Sequence, residues 1–196
     1  WAGTGDDIVR CSIGLDGGGN ATIGDPTDTP VRVGQICNQE ISSSCQGYGI
    51  QINHAFFVGT SSTPGYEYYR AAIEVLVKVH ERALAFIQPG RTTYGDFQKH
   101  NEDVFQELGH RGSGTNTHGG GIGFLSRPRQ SPEDNRVVMW PGHTFDFKPA
   151  VVLDRKKIRD VGQTNRSVQL GEGFVVTDTG AARLGTRALV PIATHG

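Results

Sequence analysis

The chain has 196 residues, 36% of them hydrophobic, which suffices for one sizeable core and is short for two. Its 19 Lys and Arg are interspersed among 20 Asp and Glu for a net charge of −1, so no basic face argues for nucleic acid and no cationic block for a membrane surface. No run approaches the roughly 18 apolar residues that span a bilayer, the N-terminal stretch WAGTGDDIVR lacks the features of a signal peptide, and Cys11, Cys37 and Cys45 form no CxxC pair. A soluble, cytoplasmic protein with structural thiols is expected, with neither a disulfide framework nor a zinc site.

Residues 7–15 predict a short first strand, and DGGGNATIGDPTDTPVRVGQ after it is a loop of turn formers. Residues 35–40 and 48–59 predict two half-buried strands, joined as a hairpin by a turn around 42–47. From 67 to 87 the spacing of Ile73, Leu76, His80, Leu84 and Ile87 puts one face of a helix in a core, and Pro89-Gly90 stops it. Thr93 with Asp96 three residues on predicts the cap of a second helix, carried by Phe97, Val104, Phe105 and Leu108 and closed by Gly109. His80 and His100 lie in these helices with no ligand-type residue one turn away, so packing is their expected role.

Residues 111–116 are small and polar and predict a loop delivering His118. The stretch HGGGIGFLSRPRQSPEDNRVVMWPGHTFDFKPAVV, 118–152, then gathers glycine, basic side chains and apolar alternation. Its glycines let the backbone approach another group closely. Pro141-Gly142 turns the chain into Phe145-Asp146-Phe147-Lys148-Pro149, whose alternation predicts a strand ended by the proline. The charged segment 154–166 predicts a solvated loop or hairpin, 174–178 a last strand, and no internal repeat is visible.

Three pieces in this order carry a resemblance: H-x-GGIG from His118, the PG turn with its alternating strand, and VQLGEGFVVTDTGAARL at 168–184. Together they resemble the creatinase, prolidase and methionine aminopeptidase family, and Gly19-Asn20-Ala21, Gly34-Gln35 and the two helices extend the match over roughly residues 10–190. The resemblance implies an α+β pita-bread fold: a strongly curved, mostly antiparallel sheet with helices on its convex face and a cleft on the concave one. A single domain over residues 1–196 is expected, with one or two helices of the family missing ahead of it.

In metal-bearing members of that family, two divalent ions are held by Asp, Asp, His, Glu and Glu. Those places fall here on Glu40, Gln51, His118 or Gly120, Lys148 and Gly171. An ammonium has donors and no lone pair, so Lys148 argues against a dinuclear site, as do Gln51 and Gly171. The family's substrate-facing histidine falls at Asp25 or Gly24, and its second catalytic histidine at Arg127-Pro128. No metal and no cofactor are therefore expected.

The residues left in the cleft are a different constellation. His118, Lys148 and Glu40 are the catalytic candidates, as proton-transferring and cationic groups. Asp25, Gln51, Asn53, His54, Arg127 and Glu172 are the substrate-binding candidates. The first functional expectation is a metal-independent enzyme acting on a small polar molecule, by hydrolysis, elimination or rearrangement of a C–N or C–C bond. The alternatives are a catalytically inactive binding module and an Xaa-Pro-type metallopeptidase. A small-molecule substrate is the expected partner, nucleic acid and membrane are not, and a homodimer is left open.

Overall fold

A computed structural model of the chain describes residues 8–13, 30–45, 48–122, 132–163 and 165–194, and for 8–13, 43–45, 113–116, 118, 121 and 122 only the backbone. The described strands are β1 (Ile8–Ile13), β2 (Ile36–Cys45), β3 (Tyr48–His54), β4 (Phe56–Val58), β5 (Gly112–Gly119), β6 (Gly121–Ile122), β7 (Thr144–Val152), β8 (Ser167–Val176), β9 (Ala181–Arg183) and β10 (Ala193–Thr194). The helices are α1 (Tyr66–Phe86), α2 (Tyr94–Glu107) and the short α3 (Arg155–Asp160). The strands join one sheet in the order β10-β4-β2-β3-β8-β7-β5, with β1, β6 and β9 added alongside β2, β3 and β8. Only the β10–β4 pair is parallel among them.

Both long helices follow from their residues. Along α1, Tyr69, Ile73, Leu76, His80 and Ala83 recur at helical spacing and are buried, and they pack with Phe97, Val104 and Phe105 of α2 on Phe145, Phe147, Leu170 and Phe174 of the sheet. His80 is fully enclosed between the rings of Phe147 and Phe174 and donates from Nε2 to the Leu170 carbonyl (2.9 Å). Thr93 caps α2 reciprocally with Asp96: its Oγ1 accepts from the Asp96 N–H and its own N–H donates to Asp96 Oδ2, both at 3.1 Å.

The sheet departs from the sequence reading in several places, among them β8, which begins at Ser167 where a strand over 174–178 is expected. β2 runs on through Ser42 to Cys45, because Ser42 lies opposite Gln51 and Cys45 opposite Tyr48, so most of the expected turn is paired strand. The strand expected over 48–59 breaks after His54, and β4 pairs with Ile36 and Cys37 at the start of β2 instead. Residues 112–119 form a strand on β7 in place of a loop, since small polar side chains do not prevent backbone pairing. Pro149 does not end β7: the β5–β7 register shifts between Ser113 and Asn116, beside a proline that has no N–H to give its neighbour. Within 154–166, Asp154 accepts from the Lys156 N–H (2.8 Å) and starts α3, a helix nucleated by one cap.

Candidate functional site

Strand register assembles the site. Glu40 lies opposite Asn53 and Ser42 opposite Gln51, Asn53 lies opposite Gly171, and Asp146 opposite Gly173. Residues paired across strands share a face, as do residues two apart along one strand. Glu40, Ser42, Gln51, Asn53, Asp146 and Lys148 therefore project from the face turned away from α1 and α2, and each is buried.

Gly171 decides how they meet. A Cβ there would stand 2.8 Å from both Lys148 Cγ and Asn53 Oδ1, so the missing side chain is the furrow in which the lysine lies. Across it Lys148 Nζ donates to Glu40 Oε2 (3.0 Å) and to the Gln51 side-chain carbonyl. Gln51 Nε2 in turn donates to Glu40 Oε1 (3.3 Å) and Ser42 Oγ (3.0 Å), and Asn53 Nδ2 donates to Glu40 Oε2 (3.3 Å). The third N–H of the ammonium has no hydrogen-bond partner among the described residues, and neither does the buried Asn53 Oδ1.

Asp146 belongs to the same group and was missed from the sequence, although its alternation with Lys148 was visible there. Its Oδ1 accepts from the Gln51 N–H (3.2 Å). Burial pushes its pKa up to about 7, against the pull of that hydrogen bond and of the Lys148 charge, with Glu40 adding to the rise.

Glu172 and His54 are not in this group. One step along each strand turns them to the face of the helices, where Glu172 lies opposite Phe147 and His54 opposite Leu170. Their partners come from the C-terminal tail. Arg187 donates from Nε to Glu172, from Nη1 to His54 Nδ1, and from Nη2 to the carbonyls of Asn53 (2.8 Å) and Gly171 (2.7 Å). Arg183 stands 3.5 Å from the other Glu172 oxygen. His54 Nε2 donates to the Val190 carbonyl (3.0 Å), and burial with the Arg187 charge lowers its pKa to about 4 despite that bond, so it is neutral. No sequence spacing pointed to Arg183 or Arg187.

The strand position of His118 lies opposite Asp146, and its side chain is outside the description. Asp25 and Arg127 lie outside the described residues.

A pair of divalent ions does not fit the described part of this group. Glu40 and the Gln51 carbonyl are committed to an ammonium, Gly171 offers no side-chain atom, and no three His, Cys, Asp or Glu side chains converge as ligands among the described residues. Nor, among those residues, is any helix long and apolar enough to cross a membrane.

Comparison with known proteins bears on the fold around this site. The chain resembles an X-Pro aminopeptidase from Thermotoga maritima MSB8 (TM-score 0.74, 17% identity, 98% of this chain and 50% of that one). A prolidase from Thermococcus sibiricus gives a TM-score of 0.71 at 18% identity over 96% of this chain and 47% of that one. A methionine aminopeptidase from Rickettsia prowazekii gives 0.65 at 16% identity over 90% and 72%. The chain thus spans about half the length of the first two. No curated protein matches it in sequence. The sequence profile of metallopeptidase family M24 matches residues 6–178, and with the antiparallel sheet, its helices and these structural neighbours it shows that the chain belongs to that family, with the pita-bread fold.

Proposed function

We propose that this protein is a metal-independent member of its family that binds and transforms a small polar molecule at the Lys148 face of the sheet. The observation that carries the reading is a pair of groups beside Gly171 that no described residue partners: one N–H of a buried ammonium and the Oδ1 of Asn53. A buried polar group without a partner costs on the order of 1–3 kcal/mol, and a ligand that both accepts and donates there would recover it. The fixed positive charge of Lys148 would polarise a carbonyl or hold a carboxylate. Asp146, with a pKa near neutrality, supports proton transfer, and His118 is the second candidate for it. Glu40 holds the lysine in place.

A second reading, binding without turnover, is favoured by one fact: the side chains of Lys148 and Glu40 are only 5% and 7% exposed, which leaves little room for a reacting centre. One set of measurements separates the readings. Purified protein should carry no stoichiometric Mn, Fe, Co or Zn, and should not cleave Xaa-Pro dipeptides with or without Mn. A thermal-shift screen of small amides, amino acids and guanidino acids should yield a ligand, to be followed for product by mass spectrometry. Lys148→Met should abolish its binding. One or two equivalents of metal with Xaa-Pro cleavage would overturn the proposal, and binding without product would establish the second reading.

A further inference from the structure

A cavity of about 670 Å³ opens on another part of the molecule, where the N-terminal half of α1, the turn after α2, the end of β7 and α3 meet. Its volume is that of a site for an organic ligand. The apolar lining is core-derived: Ala72, Val151, Leu153 and Ile158 are all buried. Around it stand Arg111, Arg155 and Lys157, exposed and without an ion pair among the described residues. The acid in the lining is Asp154, whose carboxylate is already engaged by the Lys156 N–H at the start of α3 (2.8 Å). His110 and Tyr68 also line it.

The walls are built in. The Val152 N–H donates to the Arg111 carbonyl (2.8 Å), the His110 N–H to the Phe105 carbonyl (2.9 Å), and the Ile158 N–H to the Asp154 carbonyl (3.0 Å). Arg111 and the start of α3 are thus both anchored at the end of β7, beside the apolar lining. Three cations against one engaged carboxylate leave a net positive rim, complementary to an anion. A ligand with only a charge would leave the floor wet, and one with only an apolar body would leave the rim unanswered.

We infer that this cavity is a second ligand site, for a small organic anion with an apolar body seated on Val151, Leu153 and Ile158 and a carboxylate or phosphate between Arg111 and Lys157. The test is calorimetric titration of the whole chain with octanoate, octyl phosphate, octan-1-ol, octylammonium and acetate. One or both of the octyl anions should bind saturably at one equivalent, and the tighter identifies the head group. Octan-1-ol, octylammonium and acetate should each bind at least about tenfold more weakly, since each lacks one half of the match. The double variant Arg111→Ala/Lys157→Ala changes exposed side chains, so its fold should be intact by circular dichroism, and its affinity for the octyl anion should fall about tenfold or more. The inference is overturned if neither octyl anion binds saturably, if octan-1-ol or acetate binds as tightly, or if the double variant binds the anion unchanged.

Discussion

Lys148 is a buried cation held by one carboxylate and one amide, and the physics of such a pair sets what its removal does. Lys148→Met keeps much of the bulk and strands the Glu40 charge, so a loss of about 3–5 kcal/mol is expected in urea unfolding. Adding Glu40→Gln removes the stranded charge, and the double variant should be more stable than Lys148→Met alone. A double variant no better than the single would mean that the pair is not electrostatically coupled. Asp146 gives a pH signature. Its pKa is raised from 3.8 to about 7 in the fold, so between those values the native state holds a proton that the unfolded chain has released. The stability this contributes is fully present below about pH 4 and is lost as pH rises through 7, at up to ~1.4 kcal/mol per pH unit. His54 and His80, both lowered from 6.5 to about 4, act in the opposite sense and cost stability as pH falls below about 6.5. Asp146→Asn removes only the first contribution. The stability of the wild type relative to this variant should therefore grow between pH 7 and pH 5, and a flat difference would mean that Asp146 titrates normally.

At the scale of elements, the helices were legible in the sequence because their signals are local. The apolar spacing of Ile73, Leu76 and His80 and the Thr93–Asp96 box are each complete within a few turns, and α1 and α2 begin within one residue of where they predict. Thr93→Ala should cost about 1 kcal/mol by removing the acceptor of the Asp96 N–H. Thermal unfolding would show it, and an unchanged midpoint would mean that the box is dispensable. The strands were legible only where alternation is strong, as at Phe145 to Lys148. β5 was not, since GSGTNTHG has no apolar face and its pairing with β7 is a decision of the whole sheet. The same limit applies to the site. Glu40, Gln51 and Lys148 were found together through family resemblance. The side taken by Glu172 and His54 was in the alternation and was passed over: Glu172 shares parity with Val168, Leu170 and Phe174, and His54 with Ile50 and Ile52.

At the scale of the molecule, the C-terminal tail closes the structure over the helix-facing side of the sheet. Arg187 bonds Asn53 and Gly171 by their carbonyls, thereby clasping β3 to β8 directly behind the Lys148 furrow. The tail continues past His54, donates from the Ile192 N–H to the Tyr69 hydroxyl (2.8 Å), accepts from the Phe57 N–H at the Ile192 carbonyl (2.9 Å), and ends as β10 on β4. Arg187→Met leaves the buried Glu172 with Arg183 alone, and a loss of about 3 kcal/mol is expected. Hydrogen exchange should quicken at Phe57, where the tail lets go, while Leu76 in the middle of α1 stays protected. Equal acceleration at both would mean that the arginine supports the whole core and not the tail alone.

Gly171 and Lys148 also constrain what this sheet's descendants can become. A side chain gained at 171 meets Lys148 Cγ and Asn53 Oδ1 at 2.8 Å, so it is opposed for as long as the lysine fills the furrow. A carboxylate gained at 148 would face Glu40 and take away the donor to the Gln51 carbonyl, so it is opposed for as long as those two remain. Each single step leads downhill in stability, and only a concerted exchange passes between an ammonium-centred sheet and a carboxylate-lined one. Among offspring of this sequence a change at one should be met only in company with a change at the other.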